Sequence, residues 1–327
     1  MISLMTEKRL VVAILILVLI FVGMLALVLV AMGQAGILQR PEIRQVVRQT
    51  VRPDPYKHPD PPIIAEAGFA RPYPPTTQTL EEFFEAFPYQ VSIFYQNLDT
   101  GFTFTHRDDV IYTSASLNKA SHALYVYHLA EMGLTELSRT HIFRQGERRS
   151  GTGVIRHGTP YGTRFSHLEL LMYSVLYSDN TAFDILRLAY RYYSPSYYRF
   201  NHQQGRDARL FTNDRTHRVT AADMGVLMQA IHQYFESDTE LARHFRHSML
   251  NSDVPIIVAD YPVAQKYGHW GDGNINAFHD MAIVYAPSPY ILIILSDMND
   301  MAPFHAFEEI SMFIQNFNAK YFEEGTP

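Results

Sequence analysis

The sequence predicts an α+β fold: an antiparallel five-stranded sheet flanked by terminal helices, joined to an all-helical lobe and preceded by one N-terminal transmembrane helix. Three observations point there. The elements read in the order helix, two strands, a block of helices, three strands, helix. The simplest assembly of that order is a sheet that the chain leaves and re-enters once, with the middle helices as a second lobe and a cleft between them. The run Leu10–Met32 carries no charge or strong polar group over 23 residues. Finally, 47% of the 327 residues are apolar and none is cysteine, so a sizeable core forms without disulfide staples.

Composition also excludes functions. Charged residues make up 18% of the chain and the net charge is −6, which argues against a nucleic-acid partner held by a basic surface. The absence of cysteine removes thiol nucleophiles, cysteine zinc sites and lipoprotein anchors. Lysine is scarce: Lys8, Lys57, Lys119, Lys266 and Lys320 are the only five.

Residues 1–9 form an N-terminal tail ahead of the apolar run at 10–32. At 1.5 Å per residue a helix of that length spans a hydrocarbon core of roughly 30 Å, and it is long for a signal-peptide core. It reads as a single-pass anchor. A cleaved signal is the competing reading, because Ala31 and Gly33 make a small-x-small pattern. Lys8 and Arg9 precede the run, while Arg40, Arg44, Arg48 and Arg52 follow it. A positive-inside count would therefore place the rest of the chain in the cytoplasm, but large domains translocate despite such flanks. Residues 33–78 hold nine prolines between Pro41 and Pro75, a semi-rigid spacer in composition.

Residues 79–327 read as the folded domain. Thr79 caps a short helix with an acidic first turn, Leu80–Ala86. Tyr89–Gln96 and Phe102–His106 form a hairpin pattern around Asn97–Gly101. Ala115–Met132 has a broad apolar helical face. Ser166-His-Leu-Glu169 is a capping box, and Thr220-Ala-Ala-Asp223 opens another helix in a similar way. Pro262–Gly268, His279–Ala286 and Tyr290–Ser296 read as strands, with Pro287-Ser-Pro289 turning between the last two. A final helix covers about 302–317.

Three short motifs carry chemistry. In Ser116-Leu-Asn-Lys119, helical spacing brings hydroxyl and amine onto one face near a helix N-terminus, where the field is positive. A lysine desolvated there, close to another cation, loses its proton more readily and can accept the serine proton. Ser178-Asp179-Asn180 follows an apolar helix, and Lys266-Tyr267-Gly268 sits on a strand where a glycine permits close approach. Each alone is ordinary: a cap, a turn, a loosened edge strand.

In this order, S-x-x-K, S-D-N and K-x-G resemble the signature of penicillin-binding proteins and class A β-lactamases. Tyr112–Ser116, Gly151-Thr-Gly153, Ser178–Ala182 and the strand pair His279–Leu295 resemble the same family, over about residues 79–320. The resemblance implies a serine hydrolase. Ser116 would be the acyl-accepting nucleophile and Lys119 its base. Ser178 would pass a proton to the leaving nitrogen, and Asn180 would hold the substrate amide and steady Lys119. Lys266 would supply positive potential for a substrate carboxylate and keep Lys119 neutral, with Tyr267, Gly268 and His269 completing the substrate strand. Backbone N–H groups of Ser116 and His269 would form the oxyanion hole, where one donor contributes about 2.7–4 kcal/mol. The implied partner is a β-lactam or a peptidoglycan stem peptide, and both lie outside the cytoplasm. No cofactor or metal is implied: His122 and His128, or His269 and His279, lack a carboxylate at matching spacing.

Two departures stand out. The family's K-T-G has a small hydroxyl where this chain has Tyr267, a phenol expected to point elsewhere. Class A enzymes also carry a loop glutamate that activates water for deacylation. The corresponding stretch, Arg191–Arg218, has no glutamate, and its only acids are Asp207 and Asp214. Acylation machinery with slow β-lactam hydrolysis is therefore expected; a non-catalytic cell-wall sensor or scaffold that keeps the cleft is the alternative. Gly271-Asp-Gly-Asn274 reads as a turn, and the tyrosines at 190, 192, 193, 197 and 198 as loop packing.

Overall fold

Phe83 of the first helix stacks on Phe313 of the last, ring centroids 3.8 Å apart, and this contact closes one face of a five-stranded sheet. The computed structural model describes residues 79–192, 194–207, 217–271, 276–298 and 302–323. The expected anchor at 10–32 and the spacer at 33–78 lie outside them. Among the described residues no helix is long and apolar enough to cross a membrane.

Helix α1 (Leu80–Ala86) starts at a capping box: Glu82 N–H donates to Thr79 Oγ1 at 3.2 Å and Thr79 N–H to Glu82 Oε2 at 3.0 Å. Strands β1 (Val91–Asn97), β2 (Thr103–His106), β7 (Val263–Gly271), β8 (Asn276–Val284) and β9 (Tyr290–Ser296) form an antiparallel sheet in the order β2-β1-β9-β8-β7. The α+β class and the five-stranded sheet agree with the sequence reading. Strand ends move by a few residues; β1 starts at Val91 because Pro88 lacks a ladder donor.

β9 is buried throughout because it is central and covered on both faces. Its alternate residues enter two separate cores. Leu292 and Ile294 pack with α1 and with α8 (Ala302–Asn318), while Ile291, Ile293 and Leu295 pack against the helical lobe. Each fully buried aliphatic side chain of this kind contributes about 1.5–3 kcal/mol.

The lobe contains α2 (Asn118–Glu131), α3 (His167–Leu176), α4 (Asn180–Ala189), α5 (Pro195–Gln203), α6 (Ala221–Glu236) and α7 (Glu240–Leu250). Two short ribbons accompany it: β3 (Tyr112–Thr113) with β6 (Arg218–Val219), and β4 (Thr140–Ile142) with β5 (Arg164–Ser166). Every residue from Lys119 to Tyr127 is buried, so α2 is the lobe's central helix. The Arg206–Asp223 ion pair ties the segment after α5 to α6 at 2.6 Å, with both side chains almost fully covered.

Candidate active site

The chain leaves β3 and turns sharply. Ala115 is left-handed (φ 45°), and Ala115–Leu117 closes a 3-10 turn in which Leu117 N–H donates to Ser114 O at 3.0 Å. Ser116 lies in this turn and not in the α-helix that the S-x-x-K spacing predicted; α2 begins only at Asn118. Tightening fits the crowding from β7, the edge strand. A Cβ on Gly268 would lie 3.1 Å from both Leu117 Cγ and Ser114 O, so the K-x-G glycine lets the strand pass against the serine's turn. Ser116 is half-buried, and its hydroxyl makes no hydrogen bond among the described residues.

His279 braces this turn from the sheet. Ser296 N–H donates to Nδ1 at 3.2 Å, which leaves the proton on Nε2 to donate to Thr113 O at 2.9 Å. Burial lowers the imidazole to about 4, so the ring is neutral.

Lys119 and Lys266 converge on one hydroxyl. Lys119 Nζ lies 3.1 Å from Ser178 Oγ and 2.7 Å from Asn180 Oδ1, and it also bonds to the Ser178 carbonyl. Lys266 Nζ donates to Ser178 Oγ at 3.0 Å and to Tyr267 O at 2.9 Å. Burial and the neighbouring Lys266 charge hold Lys119 well below the usual lysine range. Burial brings Lys266 down to about 7, against the upward pull of Asp280 and Asp253. A neutral amine has two hydrogens. Those of Lys119 suit the two oxygens that can only accept, the Ser178 carbonyl and Asn180 Oδ1, and its lone pair is left for a hydroxyl proton.

Ser178 reaches both amines because it is left-handed (φ 48°) between α3 and α4. Asp179 fixes that turn. One of its oxygens caps α4, accepting from Thr181 N–H at 2.8 Å and Ala182 N–H at 2.9 Å, and the other accepts Ile155 N–H at 2.8 Å. The loop at 150–155 lies directly on it. Asn180 Nδ2 donates to Ser150 O at 2.8 Å, and Thr152 Oγ1 donates to Ser178 O at 2.6 Å. Gly153 (φ 116°) leaves no room for a Cβ against the Asp179 carboxyl.

Tyr267 does not point away as expected. Its ring lies under Lys266 Nζ, 4.2 Å from the centroid, and Ser178 and Thr152 are near enough to act on its hydroxyl, whose pKa burial raises. The physical reason is the amine itself, which holds the electron-rich ring face beneath it. Thr152 and Asp280 lie in segments that resembled the family but were given no role, and Asp253 joins the site without any sequence signal. Asp280 accepts N–H bonds from Ile257 and Met281 at 2.9 Å each, and burial raises its carboxyl to about 7. Desolvation also raises the carboxyl of Asp253, which keeps an exposed surface, while Lys266 and Lys119 pull it down.

Other candidates sit apart or carry packing. His269 is exposed beside Gly268 on the open edge of β7. Asp207 donates its backbone N–H to Asp223 at 3.1 Å, and Asp214 lies outside the described residues, as does Asp272–Asn274 of the expected turn. Tyr192 and Tyr197 are buried, and with Phe183 they surround His122, whose imidazole burial lowers to about 3.

Residues 75–317 match the model of a beta-lactamase enzyme family. Among solved structures, a beta-lactamase from Chitinophaga pinensis DSM 2588 is 20% identical, covers 72% of this chain and 97% of its own, and superposes with TM-score 0.62. PBP-A is 17% identical over 71% of this chain and 90% of its own, TM-score 0.62; a mutant of it was solved as an acyl-enzyme complex with penicillin G. An ancestral class A beta-lactamase is 18% identical over 74% and 98%, TM-score 0.59. At these identities the likeness establishes the fold. No curated protein matches the chain.

Proposed function

The chain belongs to the beta-lactamase enzyme family, and on that premise we propose that it is a membrane-anchored serine hydrolase forming an acyl-enzyme at Ser116. The acyl donor is a β-lactam or a peptidoglycan stem peptide, and β-lactam hydrolysis is slow. The observation that carries the reading is the setting of Lys119: a buried amine with neutral oxygens for its two hydrogens and a cation behind it.

In this mechanism the Ser116 Oγ–carbon bond forms as its proton moves to Lys119 Nζ. Proton transfer by a positioned group of this kind contributes about 10²–10⁴-fold. The carbon–nitrogen bond then breaks, and the leaving nitrogen takes a proton from Ser178, which Lys119 reprotonates. Backbone N–H groups of Ser116 and His269 receive the developing oxyanion, and β7 running beside the Ser116 turn supports that pairing. Asn180 steadies Lys119 at 2.7 Å. Lys266 keeps Lys119 neutral by its charge.

Slow release follows from the segment opposite. Asp207 is the only acid in the described part of 191–218, and its backbone is tied to Asp223. The apolar run at 10–32 would hold the domain at the membrane, and the Pro-rich residues at 33–78 would space it from the surface on the extracytoplasmic side, where both substrate classes lie.

A labelling time course with fluorescent penicillin tests the reading. The wild type should label, keep the label for many minutes, and lose it in Ser116→Ala. A wild type that neither the penicillin nor its methyl ester acylates overturns acyl transfer and leaves the sensor or scaffold reading. Rapid loss of label overturns slow hydrolysis.

A further inference from the structure

Lys266 is completely buried, and its three hydrogens already have partners: Ser178 Oγ at 3.0 Å, Tyr267 O at 2.9 Å and the face of the Tyr267 ring, whose centroid is 4.2 Å away. A carboxylate reaching for this ammonium finds no open donor. The phenol closes the same end of the site. It is 5% exposed, with its hydroxyl end toward Ser178 and Thr152. Nor is the charge idle, because Asp280 and Asp253 both act on Lys266. An anion arriving there would displace a buried ring, compete with two resident carboxylates and leave polar groups without partners.

We propose that Tyr267 is a specificity-determining residue that closes the Lys266 end of the cleft to carboxylates. The acyl donor this chain prefers then bears no free carboxylate beside its scissile amide (an amide internal to a peptide, or an amidated or esterified end), and a penicillin acid still acylates but more slowly than its ester. The inference rests on the acyl-transfer reading and narrows its substrate class. A small hydroxyl at 267 would leave Lys266 a free donor and the pocket open; the phenol does neither.

Benzylpenicillin and its uncharged methyl ester differ at the group in question. Acylation rates of the full chain with each are read by intact-protein mass spectrometry, for the wild type, Tyr267→Thr and Tyr267→Phe. The wild type should take the ester at least as fast as the acid. Tyr267→Thr should raise the acid-to-ester rate ratio by about tenfold or more, whatever it does to the rate common to both. Tyr267→Phe, which keeps the ring, should still disfavour the acid. A wild type that prefers the acid by about tenfold overturns the proposal without any variant. So does an acid-to-ester ratio that Tyr267→Thr leaves unchanged in a protein whose melting is normal. Failure of both compounds to acylate wild type and variants alike overturns the acyl-transfer reading itself, and the selectivity with it. That outcome is distinct from acylation with the wrong preference.

Discussion

Lys119 and Lys266 are two fully covered amines on one hydroxyl, yet their surroundings differ in kind. Lys119 has neutral oxygens in direct contact and the Lys266 cation nearby, with Asp179 and Asp253 pulling the other way. Lys266 has a second carbonyl, an aromatic face, and Asp280 and Asp253 favouring its charge. Burial pushes both amines down, and a neighbouring cation adds to that push at Lys119. In the proposed mechanism Lys119 is therefore the proton acceptor, and Lys266 is the charge that keeps it so until Lys266 itself titrates near 7.

The largest expected effect comes from deleting the acceptor. Lys119→Ala should slow labelling by penicillin by about 10²–10⁴-fold while the fold persists, as circular dichroism would check. A variant that still labels at near wild-type rate would end the comparison, since the base would then lie elsewhere.

The pH profile of labelling sharpens it next. The rate should rise with pH as Lys119 loses its proton at its lowered pKa, and fall as Lys266 loses its own near 7. Lys266→Met removes the descending limb. It also moves the rising limb to higher pH, because the cation that disfavoured the Lys119 proton is gone. A profile that does not move would show that the two amines are electrostatically independent.

The shared platform can be loosened instead. Asp179→Ala removes the α4 cap and the hold on Ile155 N–H, and should cost about 1–3 kcal/mol in urea unfolding. Both lysine limbs should blur together, because both amines lean on Ser178. The smallest effect is expected from Asp253→Asn, which removes an anion that favours both charges. Both limbs should shift to lower pH, and an upward shift would contradict the sign of that interaction.

Much of this was legible in the residues. Two of five lysines fell in motifs with a serine or glycine at fixed spacing, and turn residues between the runs marked the strands. What was not legible depends on contacts between distant segments. The S-x-x-K spacing was read as α-helical, but the proximity of β7 to the Ser116 turn makes it 3-10. Helix α7 was not singled out in the sequence, although Thr239 caps it and Ala242, Phe245 and Met249 bury one face at helical spacing. Asp253 and Thr152 are single polar residues in loops, and they gain meaning only where the chain folds back on Ser178. The Tyr267 substitution was visible, but its direction was not: on an edge strand the ring turns toward the nearest buried cation.

The brace at His279 sets an acid floor for the molecule. A ring that takes a hydrogen from Ser296 and gives one to Thr113 works in a single tautomer. Once protonated it becomes a donor on both sides, and the Ser296 amide then faces another hydrogen. With the imidazole held at about 4, the segment leading to the nucleophile keeps its register throughout neutral and mildly acidic surroundings. The hold weakens progressively as pH falls from the ordinary imidazole value of 6.5 towards about 4, because over that window the opened segment binds a proton that the closed one does not.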